Sequence, residues 1–222
     1  MNAKLYVACS IMMFSNIVIA NAQGDDVKSE KEARAILDGM SSKVKSCSTI
    51  EIDFTAEYSC KRTGDKHTSD GNLKVKGLAY ALDVNDMVTY SDGKTVYVWQ
   101  KNSNEVDISD ADTDSDGDMT PSKLFGAYKS GYKLRHLPNK SIGGVECEQV
   151  DLYPIDKKTN VMRLRISVAK ESRRIQQFEQ STKSGETLTV IIKGYKVNQP
   201  IPNSAFTFDF NAHTGVEVVD LR

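Results

Sequence analysis

The sequence predicts a mainly β protein in which one antiparallel sheet curls, accompanied by a few helices. Strand-like segments recur at regular intervals along most of the chain, and turn segments such as Gly143-Gly144 and Ser184-Gly185 separate them. The 222 residues suffice for one domain with a substantial core. Because no repeat or linker divides the chain, we expect a single domain.

The beginning of the chain has the pattern of a cleavable export signal. Lys4 gives a positive start, Leu5–Ala20 is mostly apolar, and Ala20-Asn21-Ala22 has the small-x-small form that precedes cleavage. The apolar run is rather short for a membrane span, and polar residues interrupt it. We therefore expect a signal peptide over residues 1–22, cleavage after Ala22, and an exported domain over residues 23–222.

The charge balance and the cysteines argue against two classes of site. The chain has 29 basic and 30 acidic residues, whereas nucleic-acid binding needs a concentrated positive field. Cleavage would leave Cys47, Cys60 and Cys147, with no Cys-x-x-Cys pair to hold zinc. Cys47 and Cys60 flank one predicted strand, so any disulfide should involve Cys147.

The first predicted helix begins at Ser29, which forms a Ser-x-x-Glu capping box with Glu32. Apolar residues then recur at helical spacing and form one stripe, made of Ala33, Ile36, Leu37, Met40 and Val44. Such a stripe indicates a helix packed on the sheet. It would also line a ligand cavity if the fold encloses one.

Three strands are predicted after this helix. Ile50–Tyr58 alternates apolar and polar residues, which is typical of a half-buried antiparallel strand, and Gly71–Lys76 and Leu78–Val84 follow a polar turn. The positions predicted to face inward are Ile50, Ile52, Phe54, Ala56, Tyr58, Leu73, Val75, Tyr80, Leu82 and Val84.

The next predicted element is a hairpin over Met87–Gln100. Asp92-Gly93 suits its tight turn, and the β-branched and aromatic run Thr95–Trp99 suits its second strand. Because successive side chains point to opposite faces, Tyr97 and Trp99 share one face and two valines share the other. Both faces are apolar, so we expect apolar residues from elsewhere to cover each of them.

An acidic loop and a short helix are predicted after the hairpin. Asp110–Asp118 matches the first positions of a calcium-binding loop, but Lys123 stands where that loop needs a glutamate, so we expect no metal there. Thr120-Pro121 has the pattern of a helix start. The apolar face of this helix consists of Leu124, Phe125 and Tyr128.

Further strands are predicted around and after this helix. They are Glu105–Ile108, Tyr132–Leu137, Val145–Tyr153, Val161–Ala169, Arg174–Ser181, Thr187–Lys193 and Thr207–Phe210. Glycine-rich and proline-containing turns separate them, as expected for a meander.

Several short motifs occur in a characteristic order along the chain. Phe54-Thr55 follows the first helix, Gly71-Asn72-Leu73 enters the second strand, and Ser91–Thr95 forms the hairpin turn. Ala205–Phe208 and Gly215–Asp220 close the chain with a Phe-x-Phe and a Gly-Val-x-Val-x-Asp pattern. This order resembles the outer-membrane lipoprotein carrier family, LolA, over nearly the whole mature chain.

The resemblance implies an unclosed β-barrel covered by helices, whose apolar cavity takes the acyl chains of lipoproteins in the periplasm. It also implies two partners, an ABC-type lipoprotein-releasing transporter at the inner membrane and a receptor at the outer membrane. We expect a monomer without cofactors. The residues expected to bind lipid are Ile36, Leu37, Met40, Phe54, Tyr80, Leu82, Tyr97, Trp99, Leu124 and Phe125.

One stretch departs from the family pattern. Many members have Lys-Arg-Pro at the end of the second strand, and the arginine is thought to latch the helical lid, whereas this chain has Lys76-Gly77-Leu78. The departure implies a lid held by apolar packing alone, unless Lys76 or Arg62 acts as the latch.

Two other functions compete with lipoprotein transport. An enzyme is disfavoured because the three histidines, His67, His136 and His213, are isolated and no nucleophile, zinc-protease or phosphate-loop motif occurs. We therefore expect no catalytic residues. The second rival is a periplasmic protein of the same fold that binds or senses another lipid or glycolipid, because that function needs the same apolar cavity.

Overall fold

The computed structural model describes residues 17–111 and 127–222. In these residues one α-helix, α1 (Ile17–Lys45), precedes twelve strands of a single sheet. The strands are β1 (Ile50–Cys60), β2 (Lys66–Lys76), β3 (Ala79–Val84), β4 (Met87–Ser91), β5 (Thr95–Gln100), β6 (Glu105–Asp110), β7 (Tyr132–Ile142), β8 (Val145–Pro154), β9 (Val161–Ala169), β10 (Ile175–Thr182), β11 (Glu186–Val197) and β12 (Glu217–Asp220).

The strands pair in the order β12-β6-β5-β4-β3-β2-β1-β11-β10-β9-β8-β7. Antiparallel pairing of β1 with β11 joins the N-terminal hairpins to the C-terminal ones, so both halves of the chain share one sheet. The edges, β12 and β7, do not pair with each other. The predicted fold class, a single curled and unclosed sheet, is therefore confirmed, except that β12 runs parallel to β6.

The helix α1 lies on one face of the sheet, which we call the inner face. Its apolar stripe packs there against β7–β10. This helix cluster consists of Ala33, Ile36, Leu37, Met40, Tyr128, Leu134, Val150, Leu152, Leu164, Ile166, Val168, Ile175 and Phe178.

A second apolar cluster lies on the inner face of β1–β3 and β11, because directly paired residues share a face of a sheet. We call it the strand cluster. Its buried members are Ile50, Ile52, Phe54, Ala56 and Val75. Val44, Val190 and Ile192 contact both clusters, so the apolar surface of the inner face is continuous.

The outer face of the sheet carries two different kinds of contact. Over β4–β6 it is aromatic. Residues 207–213, which we call the C-terminal segment, lie on it, with Phe208 against Tyr90 and Trp99. Over β8–β10 it is polar, and ion pairs such as Arg165–Asp151 join neighbouring strands. The apolar core of the fold is therefore concentrated on the inner face, with a smaller aromatic core outside.

The prediction of a strand over Thr207–Phe210 is wrong. This segment follows a 3-10 turn at Asn203–Phe206 and turns its aromatic rings onto the sheet instead of pairing with a strand. Gly215, at a φ of 70°, then allows the chain to reverse, and β12 pairs with β6. Ring burial thus takes precedence over backbone pairing in this segment.

The predicted start of the first helix is also wrong, because α1 begins at Ile17 and not at Ser29. The helix therefore includes the polar residues before Ser29 and the last part of the predicted signal peptide. Ser29 does not cap it: its hydroxyl accepts a hydrogen bond of 3.0 Å from the backbone N–H of His136 on β7. Within the described residues no helix combines the length and the apolar character needed to cross a bilayer.

Gly71 of β2 lies beneath the ring of Phe54 on the neighbouring strand. A Cβ atom at Gly71 would lie 2.3 Å from Cζ of Phe54 and 2.9 Å from the backbone oxygen of Asp83. Only glycine leaves room for the ring, which explains a glycine inside a strand.

We expect Gly71→Ala to lower the free energy of unfolding by about 1–3 kcal/mol, since overpacking forces the ring and backbone apart. Urea unfolding curves would measure the loss. Gly39→Ala is the matched control, because its Cβ would lie 3.5 Å from Arg173 in ordinary contact and alanine favours the helix. Equal stability of the two variants would contradict the prediction.

Candidate functional site

The strand cluster is buried only in part, and its remaining members form an open apolar face. These side chains are half-buried although their neighbours on β1 are covered. The open apolar face consists of Leu73, Tyr80, Leu82, Val84, Leu188, Tyr195 and Val197. Half-exposed apolar side chains gathered on the inside of a curled sheet are typical of a surface that binds an apolar ligand.

An irregularity in β11 completes this face. Phe54 pairs with Ile192 and the preceding Asp53 pairs with Gly194, so Lys193 is an extra residue in the ladder. The extra residue changes the alternation, and Tyr195 therefore shares the inner face with Ile192. A Cβ atom at Gly194 would lie 2.8 Å from Oδ2 of Asp53, so a larger residue there would require that carboxylate to shift.

A cavity of about 410 Å³ lies at the C-terminal end of α1, beside the turn between β2 and β3. Its buried lining includes Ile50 and Val75, which also belong to the strand cluster. Gly77, at a φ of 62°, lines it where the family pattern has an arginine. The cavity therefore continues the apolar surface of the inner face to the end of the helix.

The polar groups beside the open apolar face include the phenol of Tyr195 and the guanidinium of Arg174. Burial and the neighbouring Cys47 thiol raise the pKa of Tyr195 to about 12, so its phenol stays protonated. The guanidinium of Arg174 lies 4.8 Å from the centre of that ring, in a cation–π contact. The open apolar face thus presents an uncharged phenol beside aliphatic side chains.

The residues predicted to bind lipid fall into several places. Ile36, Leu37 and Met40 lie in the helix cluster and are at most 5% exposed, so helix packing already covers them. Phe54 is buried beneath the open apolar face, and Tyr80 and Leu82 lie on that face.

Leu124 and Phe125 lie outside the described residues, as does the acidic stretch 112–118 of the calcium prediction. Tyr128, predicted on the same short helix, is described and belongs to the helix cluster. The contribution of that helix to the site therefore remains a prediction.

Tyr97 and Trp99 lie on the outer face, opposite to Tyr80 and Leu82. The indole of Trp99 lies tilted against the ring of His213 with ring centres 4.0 Å apart, and the ring centres of Tyr97 and Phe210 are 6.4 Å apart. The expectation of an apolar cover on the aromatic face of the hairpin is therefore confirmed. The cover is the C-terminal segment of the same chain.

The helix is held on the sheet by polar contacts in addition to apolar packing, which corrects the expectation of apolar packing alone. Glu32 Oε2 lies 3.0 Å from Nδ1 of His136, beside the Ser29 contact. The hydroxyl of Tyr128 donates a hydrogen bond of 2.8 Å to Asp38.

Neither cation considered as a substitute latch forms a hydrogen bond or an ion pair with α1 among the described residues. Lys76 donates instead to the backbone oxygen of Ile201 at 3.1 Å and to Asn203 at 2.8 Å. Arg62 lies in the turn between β1 and β2.

Sequence reasoning missed the contribution of β11 to the site. Leu188, Val190 and Ile192 alternate with other residues in the sequence, which is a usable signal, but the extra residue Lys193 hides Tyr195 and Val197 from any strict alternation.

The three histidines occupy separate surroundings. His67 stacks on Tyr58, His136 contacts Glu32, and His213 stacks on Phe208. Within residues 17–111 and 127–222 no three histidine, cysteine or acidic side chains gather as a metal site would require. Cys47, Cys60 and Cys147 are free thiols.

Several solved structures resemble the fold. A conserved protein from Thermus thermophilus has a TM-score of 0.59 at 10% identity, over 85% of this chain and 99% of that chain. A LolA superfamily protein from Nitrosomonas europaea has a TM-score of 0.43 at 13% identity, over 80% of this chain and 98% of that chain. The Mycobacterium tuberculosis lipoprotein LppX has a TM-score of 0.46 at 13% identity, over 76% of this chain and 98% of that chain. At such low identity the first of these similarities supports the fold alone.

Comparison of the sequence itself gives a more specific result. No curated protein matches the chain. The family model described as outer membrane lipoprotein carrier protein LolA, however, matches residues 45–209, which include every strand from β1 to β11. This match covers most of the chain and the whole of the open apolar face. The chain therefore belongs to the LolA family.

Proposed function

We propose that this protein carries lipoproteins through the periplasm and shelters their acyl chains on the open apolar face. The observation that carries the proposal is the half-buried state of that face, beside strand-cluster residues such as Ile50, Ile52 and Phe54 that are packed. Membership of the LolA family supports lipid or lipoprotein binding. In this proposal the signal peptide is removed after Ala22 and residues 23–222 form the carrier domain.

The energetics of lipid transport agree with this arrangement. Each buried methylene contributes about 0.8 kcal/mol, so an anchor with several long chains costs tens of kcal/mol when exposed to water. A carrier must cover the chains and still release them. A surface that is half-covered before binding meets both needs, because the ligand completes its burial without displacing a packed core.

The position of α1 suggests how the chains enter and leave. The apolar stripe of α1 is packed over β7–β10, whereas its last turn borders the cavity beside Gly77. We propose that an ABC-type transporter at the inner membrane loads the acyl chains at this end. A receptor at the outer membrane then withdraws them, which the missing arginine latch at Gly77 makes easier.

Photocrosslinking tests the proposal at single positions. A photoreactive residue at Leu82, on the open apolar face, should capture a lipoprotein supplied in detergent-free solution. Asp83 is the matched control, because it is the next residue of β3 and faces the other way. A photoreactive residue at Tyr97 should also fail to capture the lipoprotein, since the C-terminal segment covers that face.

The outcomes separate the possible functions. Capture at Leu82 alone supports the proposal, and equal capture at Leu82, Asp83 and Tyr97 contradicts it. Mass spectrometry of the ligand extracted from natively exported protein provides the second measurement. Recovery of a free lipid or glycolipid, with no lipoprotein, would favour the rival function of binding another lipid.

A further inference from the structure

We infer that the cavity at the end of α1 selects single-chain lipids with a negatively charged head group. The inference rests on the proposed function in one respect, namely that the inner face binds acyl chains. The inference goes beyond the proposed function because it names a class of ligand, anionic single-chain lipids, for one end of the apolar surface.

The cavity is apolar inside and basic outside. Ile50 and Val75, on its inner side, are 3% and 9% exposed, and Val44, in the last turn of α1, also lines the cavity. Lys45, Ser48 and Lys129 also line the cavity and are exposed, so they lie at its mouth. An acyl chain would lie against the inner side, with its head group among the two ammonium groups and the serine hydroxyl.

Neither ammonium group at this mouth is paired with a carboxylate in the described part of the chain. No acidic residue that the structure describes lines the cavity, although the protein has 30 acidic residues. Neither Lys45 nor Lys129 forms an ion pair with any residue in 17–111 or 127–222. A cleft with charge of one sign and apolar walls concentrates ions of the opposite sign.

Stabilisation of the helix end explains the presence of Lys45 at the mouth but not that of Lys129. Lysines in the last turn of a helix interact favourably with its dipole, and Lys43 and Lys45 are both in the last turn of α1. Lys129 belongs to another element, the 3-10 turn at Ala127–Lys129, and still lines the same mouth. Lys43 has the same helical role as Lys45 but does not line the cavity, so it provides a matched control.

The volume indicates the size of the ligand. About 410 Å³ lies in the lower part of the range, roughly 300–1,000 Å³, that is usual for small-molecule pockets. We therefore assign the cavity to one acyl chain with a small head. A carboxylate and a phosphate share the required negative charge, so a fatty acid and a lysophospholipid both belong to the inferred class.

Equilibrium binding to the exported protein tests this inference with three probes of one chain length. Palmitate and palmitoyl lysophosphatidylglycerol are anionic, and monopalmitoylglycerol is neutral. A charge-assisted contact is worth enough for about a tenfold change in Kd, so the anionic probes should bind about tenfold more tightly than the neutral one. The tighter of the two anions identifies the preferred head group, and added salt should weaken the preference.

Variants at the mouth locate the effect. The double substitution Lys45→Gln and Lys129→Gln should remove the preference and leave the Kd of monopalmitoylglycerol unchanged, while Lys43→Gln should retain the preference. Equal wild-type affinity for charged and neutral probes would overturn the inference and leave the proposed function intact. Binding of none of the three probes would also overturn the inference, whereas capture of lipoprotein at Leu82 decides the proposed function separately. Loss of the preference in Lys43→Gln as well would mean that a general positive field, not this cavity, selects the charge.

Discussion

Replacing Phe208 with alanine is expected to lower the free energy of unfolding by about 3–5 kcal/mol, the usual loss for a buried phenylalanine. Phe208 is 5% exposed and lies at the centre of the outer aromatic cluster. Its ring centre is 4.9 Å from that of Phe210, 4.8 Å from that of His213 and 5.9 Å from that of Trp99. Removal of the ring leaves a cavity between the C-terminal segment and the hairpin.

The single tryptophan makes this prediction easy to measure. Trp99 is the only tryptophan of the chain and is in contact with Phe208, so its fluorescence reports on the docking of the segment. In Phe208→Ala the emission should move to longer wavelength as water reaches the indole, and the urea midpoint should fall. Phe210→Ala is the control, because Phe210 is 44% exposed and should cost much less. An unchanged spectrum and midpoint in Phe208→Ala would show that the segment does not depend on this ring.

Replacing Asp151 with alanine is expected to cost about 3 kcal/mol of unfolding free energy. Asp151 is 2% exposed and accepts hydrogen bonds from Nε and Nη2 of Arg165, at 2.6 and 2.9 Å. It also accepts one from the hydroxyl of Tyr153 at 3.1 Å. Loss of the carboxylate leaves the guanidinium partly buried without its partner, which costs about 3–5 kcal/mol for fully buried pairs.

The lower end of that range applies because the Arg165 side chain is 26% exposed and can recover some hydration. Glu146→Ala is the matched control: its pair with Lys170 is exposed on both sides, and such pairs contribute about 0–1 kcal/mol. Urea unfolding followed by circular dichroism measures both variants. Similar losses in Asp151→Ala and Glu146→Ala would show that burial adds nothing to the Arg165 pair.

Much of the fold could be predicted because local chemistry determines it. Alternation in Ile50–Tyr58 and the Asp92-Gly93 turn are short-range signals, and both correspond to the observed β1 and the β4–β5 hairpin. The helix start could not be predicted in this way. Ser29 and Glu32 have the spacing of a capping box, but both contact His136, a residue more than 100 positions away. A long-range contact of this kind leaves no local pattern.

The candidate site was less predictable than the fold for two physical reasons. Alternation separates the two faces of a strand but does not say which face is inside, and the lipid-binding prediction for Tyr97 and Trp99 therefore names residues that contact the C-terminal segment. An extra residue reverses alternation, so Tyr195 was not recognised on the face that contains Ile192. Tyr80 and Leu82 were placed on the open apolar face as predicted, because β3 is regular.

The two edges of the described sheet, β7 and β12, do not pair with each other, and this affects the width of the sheet's interior. In a closed barrel the number of strands and their stagger fix the radius, so the interior has one width. Here no ladder joins the first and last strands of the described sheet, which can relax to a larger radius without breaking a backbone hydrogen bond between strands. Strand pairing therefore does not fix its interior width, and under the proposed function acyl chains of different number and length would fit the same inner face.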